Sequence, residues 1–197
     1  ADDHHQAVDE RSSLGSVGLD VQRYAMALVA LARVLPGVEQ ALIRSGGDRL
    51  PISPIATLLA DDVQALGLDV GRTDPPGGRP GHDGAGRTDP PVGRPGYDDA
   101  GAWWGAAYVL HGSRLGATVI AERLAADLHD VARTYFDAAA TDAAPTWARF
   151  RVAARAAFCT GQADLGRATA SARAVFDSLL VEFDRIGLSP LDEGRVA

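Results

Sequence analysis

Apolar residues recur along this chain at spacings of three and four, the mark of helices that each bury one face. Asp20 is placed to cap a helix carrying Val21, Tyr24, Leu28, Leu31 and Val34 along one side. Pro36 should interrupt that ladder, leaving a shorter helix through Val38 and Leu42 that stops at Gly46-Gly47. Ser53-Pro54 has the form of an N-cap followed by proline at the first helical position, opening a segment through Leu58, Val63 and Leu66 to Gly67. Helical signals then fill most of the second half: 102–128, a helix around Val131 to Ala139, one opened by Pro145-Thr-Trp and running to Cys159, and a last one over about 163–186. The first ten residues read as the middle of a further helix. With no alternating strand pattern of useful length, the chain is expected to be all-α, seven or eight helices around one core, a single domain over 1–197.

Residues 71–100 break the pattern. Gly-Arg-Thr-Asp-Pro-Pro starts at Gly71 and again at Gly86, and Gly-Arg-Pro-Gly follows in both copies, so the segment is a tandem pair of one unit. Two copies do not build a solenoid, and a unit this rich in proline and glycine supports neither helix nor sheet. It reads as a flexible surface insertion, with His82 a solvated loop histidine.

Composition narrows the function classes. The net charge is −7, and no basic run is present, which argues against a nucleic-acid surface. All 19 basic residues are arginine, so lysine Schiff-base chemistry and a lysine-dependent phosphate loop are excluded. The single cysteine, Cys159, cannot pair internally and is expected to be a buried structural thiol. No uninterrupted apolar run reaches the roughly 18–20 residues that span a bilayer, and no signal-peptide pattern opens the chain, so a soluble cytoplasmic protein is the simplest expectation.

The candidates for chemistry are few. Five histidines, at positions 4, 5, 82, 111 and 129, form no tight metal-binding spacing. His4 and His5 diverge by about 100° around their helix, so only one can face a given neighbour. Ser113 follows Gly112, but His111 stands where a nucleophile elbow needs its first glycine, and a serine hydrolase is dismissed. Arg151 and Arg155 lie four apart on one helix face, suited either to solvent or to gripping carboxylates. Gly112 and Gly116 break an otherwise apolar helix at a cost of roughly 1 kcal/mol each, which implies that a neighbouring helix or a flat ligand lies close to bare backbone there.

The stretch Tyr108-Val-Leu-His-Gly-Ser-Arg-Leu-Gly-Ala117 resembles the distal-helix signature of haem oxygenases, in particular the bacterial branch that serves bacteriophytochromes. His5-x-x-Val8-Asp9 is similar to that family's proximal-histidine segment, and Tyr24 to Leu35-Pro36 with Glu39 to the helix after it. Trp147-x-x-Phe150 and Ala172-x-x-x-Phe176 match its C-terminal pattern, so the resemblance covers nearly everything but 71–100.

The resemblance implies oxygen-dependent opening of haem, both substrate and cofactor, to biliverdin, carbon monoxide and ferrous iron. It implies that His5 ligates the iron, that Gly112 and Gly116 let the distal helix press on the porphyrin, and that Ser113 touches an ordered water network. Arg151 and Arg155 become candidate partners for the haem propionates. Electrons would come from a ferredoxin or flavin reductase, and a bacteriophytochrome could receive the biliverdin. His111 stands where the branch usually has glutamate; lying about 100° from Gly112, it should not reach the iron. Two other readings are a haem-binding or sensing protein with little turnover, and a non-haem diiron protein drawing on Glu122, His129 and Asp130.

Overall fold

In the computed structural model, which describes residues 2–12, 14, 19–46, 50–51, 54–70, 97 and 99–188, seven helices account for 81% of the described residues and none is in a strand. They are α1 (Asp2–Ser12), α2 (Val21–Gly46), α3 (Ile55–Ala65), α4 (Ala100–Asp127), α5 (Thr134–Thr141), α6 (Ala143–Cys159) and α7 (Leu165–Arg185). The all-α expectation holds. His82 and most of the repeat lie outside the described residues, but its end belongs to the fold. Tyr97 is buried in the core, and Asp99 caps α4 by accepting the Ala102 N–H at 3.2 Å.

Helix α4 is the axis, packed by α2, α5, α6 and α7. Trp103, Ala106, Ala107, Leu110, Ala117 and Leu124 are buried along its length, as expected of a helix apolar on most sides. Its tightest crossing is with α7, and the glycines that permit it are Gly101 and Gly105. A Cβ on Gly101 would stand 2.6 Å from the Asp164 carbonyl oxygen, and one on Gly105 would overlap the Ala168 carbonyl. Ser171 of α7 donates to the Ala102 carbonyl at 2.7 Å across the same crossing.

Three expectations need correction. Pro36 does not divide the second segment: α2 runs unbroken for 26 residues. Proline removes one ladder hydrogen bond, but Leu35, Val38 and Leu42 around it are buried, so tertiary packing carries the helix through. Pro54 is the N-cap residue of α3, not its first helical residue, and its partner Ser53 lies outside the described residues. Cys159 ends α6 exposed, on the solvent side of a helix whose apolar face is Phe150, Ala154 and Ala157.

Two helix starts are closed from a distance. Buried Glu39 of α2 accepts the Ala56 N–H at the start of α3 (2.7 Å). Fully buried Asp62 of α3 accepts both Thr134 and Tyr135 N–H groups at the start of α5 (2.7 and 2.8 Å). Neither helix has a side-chain cap from its own N-cap residue. The segment Val21–Ser45 is long and apolar enough to cross a membrane by length and composition, with mean hydropathy 1.5. Here it packs on α3, α4 and α7, with Tyr24, Ala27, Leu28 and Leu42 sealed. Its Arg33 meets Glu182 at 3.2 Å.

Candidate functional site

Helix α1 is mostly polar and attaches to the body through α7 and, lightly, α2. The two adjacent histidines part as the helical angle requires. His4 Nε2 lies 3.3 Å from Asp177 on α7, and Arg11 pairs with Asp184 on the same helix. His5 packs edge-on over Phe176, ring centres 5.7 Å apart, and its Nδ1 lies 3.1 Å from Asp9 Oδ2 one turn on. The Asp9 carboxyl is pushed above its ordinary range because partial burial outweighs the opposing pull of His5.

Between α1 and α4 lies a cavity of about 230 Å³. His5, Val8 and Asp9 line it from α1, and Gly112, Ser113 and Gly116 line it from α4. Leu31 and Leu35 of α2, Phe136 of α5 and Phe176 and Phe183 of α7 make most of the rest apolar. The glycines open this space. A Cβ on Gly112 would have Trp147 as its nearest neighbour, at 3.8 Å, and one on Gly116 would meet nothing within 4 Å. Among the described residues, no helix backbone lies against either. The close helix contact belongs to Gly101 and Gly105, roughly two to three turns before Gly112.

Ser113 donates from Oγ to the Leu110 carbonyl at 3.0 Å, an ordinary helix back-bond, and lines the same cavity as Tyr135. Tyr135 is buried in the cavity wall. Burial raises its pKa, partly opposed by Ser113 and the nearby Arg114. Sequence reasoning missed this residue, because nothing local distinguishes it from Phe136 beside it. Its place depends on Asp62 anchoring α5.

His111 does not line the cavity. It is buried against Phe150 of α6, ring centres 5.1 Å apart, and neither ring nitrogen has a hydrogen-bond partner among the described residues. Burial first, then the charges of Arg114 and Arg149, lower its pKa to about 4, so it is a neutral packing residue. Arg151 and Arg155 are exposed on α6. They do not reach the cavity: Arg151 lines a separate groove beyond Tyr108 and Trp147, and Arg155 lines neither space. Glu122, His129 and Asp130 do not converge: they lie outside the cavity, with His129 and Asp130 paired to each other at 2.9 Å. Among the described residues no three His, Cys, Asp or Glu side chains gather as metal ligands.

The chain matches no protein-family model, and neither curated proteins nor solved structures show a match to it.

Proposed function

We propose that the cavity between α1 and α4 binds haem and that the protein is a haem oxygenase, opening the ring with oxygen and donated electrons to biliverdin, carbon monoxide and ferrous iron. One observation carries the reading. A histidine on α1 and the bare backbone of two glycines on α4 line the same, mostly apolar, cavity from opposite helices.

The residues present fit a flat, apolar ligand with a metal at its centre. His5 has Nδ1 engaged by Asp9, which leaves Nε2 for iron and holds the ring in orientation. Gly112 and Gly116, with no side chains to fill the space, would admit a flat ring close to the α4 backbone. Bound haem supplies the redox centre. The Ser113 and Tyr135 side chains bring two hydroxyls to the cavity wall that can hold a water molecule and relay a proton. At about 230 Å³ the cavity is below the roughly 300–1,000 Å³ of small-molecule sites. Haem binding therefore requires α1 to move away from α4. The polar ion pairs that attach α1 to α7 permit that more readily than a sealed apolar seam would.

Electron supply by a ferredoxin or flavin reductase, and delivery of biliverdin to a bacteriophytochrome, complete the reading. The haem-carrier alternative would gain from a second axial nitrogen, but His111 faces Phe150.

Titration of the purified protein with haem tests this. A strong Soret band should appear, shift or vanish in His5→Ala, and give way to biliverdin's red absorption when a reductant is added under oxygen. A stable Soret band without turnover selects the carrier, and no Soret band defeats both.

A further inference from the structure

We propose that the groove between α4, α6 and α7 is a second ligand site, taking a long-chain carboxylate with its acyl chain in the trough and its head group on Arg151. The groove measures about 510 Å³, more than twice the α1–α4 cavity, and falls within the range of small-molecule sites. It exists because the α4–α7 crossing is built from small residues. Gly105 brings the helices together, and Ala168 and Ala172 leave the trough unfilled.

The lining selects the ligand class. Among the described residues Arg151 is the one charged side chain on the groove wall; it is exposed, and no acidic side chain lines the groove to pair with it. Arg155, one turn on, adds positive charge beyond the rim. An apolar body with one anionic head complements this arrangement. Part of the aromatic surface is already engaged. Trp147 stacks on Phe150 at 5.3 Å and 15°, and Trp104 leans on Phe150 at 5.7 Å. An acyl chain needs only the methyl groups and ring edges on offer. A protein partner would engage some 20–30 residues a side, and about a dozen line this groove.

The site does not depend on the haem reading, although Tyr108 and Trp147 belong to both walls. Calorimetric titration of the full chain with dodecanoate, below its micelle-forming concentration, should show saturable binding at one site. Dodecanol, and dodecanoate on Arg151→Glu, should bind roughly tenfold more weakly, the scale of one lost charge-assisted hydrogen bond. Thr169→Trp fills the trough from its rim, where the native hydroxyl makes only a local bond to the Leu165 carbonyl. With helicity unchanged by circular dichroism, it should abolish binding. Absence of saturable heat, equal affinity in Arg151→Glu, undiminished binding in Thr169→Trp, or displacement of bound haem by dodecanoate would each overturn the proposal.

Discussion

The carboxylate of Asp62 on α3 accepts the backbone N–H of Tyr135 on α5 at 2.8 Å, and its other oxygen takes the Thr134 N–H at 2.7 Å, with Asp62 wholly shielded from solvent. One buried carboxylate thus fixes where α5 begins and so where Tyr135 joins the cavity wall. Asp62→Ala leaves two helix-start N–H groups without an acceptor and should cost about 3 kcal/mol, from hydrogen bonds to a charged group worth about 1.5–3 kcal/mol each. Asp62→Asn keeps one acceptor and should fall between. Guanidinium melts of the three proteins check the order.

Gly116 should separate stability from ligand binding. Its missing side chain meets nothing within 4 Å, so Gly116→Ala recovers helix propensity and should stabilise the free protein by about 1 kcal/mol. The added methyl group projects into the cavity, so the same variant should bind haem more weakly, and Gly116→Leu should show no Soret band. A stabilised variant with undiminished haem binding would place the ligand elsewhere.

Gly105→Ala should act in the opposite direction on folding. The methyl group would overlap the Ala168 carbonyl at the α4–α7 crossing, and backbone there has no rotamer to yield. A loss of about 3 kcal/mol, at the upper end for overpacking, is expected in thermal or denaturant unfolding.

His111 makes the protein sensitive to acid. Its pKa falls from the ordinary 6.5 to about 4 in the folded state, chiefly by burial. Unfolding is therefore coupled to proton uptake between those values, and stability is full above about pH 6.5 and lost as the pH falls toward 4. The contribution amounts to about 3 kcal/mol, because each pH unit between the folded and unfolded titrations is worth about 1.36 kcal/mol. His111→Leu should flatten that part of the stability–pH profile. It should also leave the haem spectrum unchanged, because the imidazole packs on Phe150 and not in the cavity.

The candidate site was legible in unequal parts. Gly112 and Gly116 were visible as residues out of keeping with their helix, His5 and Ser113 were singled out only by the resemblance, and the fold brings all four to one cavity. Arg151 and Arg155 were equally visible as a pair, yet α6 turns them away from it, since its buried face is set by Phe150, Ala154 and Ala157. Tyr135 carried no local signal. A close-packed helix does explain glycines in α4, but at Gly101 and Gly105, while Gly112 and Gly116 border open space.

By itself, the sequence determined that the chain is all-α and roughly where its helices run, because three-to-four periodicity and local caps such as Asp20, which holds the Arg23 N–H at 2.7 Å, act within a few residues. Only the tertiary structure decided that α2 passes through Pro36, that Glu39 and Asp62 cap helices far along the chain, and that His111 turns inward onto Phe150. It also decided that two pairs of glycines in one helix serve different ends. Each of these depends on which face of a helix meets which neighbour, and burial and long-range hydrogen bonds set that through space.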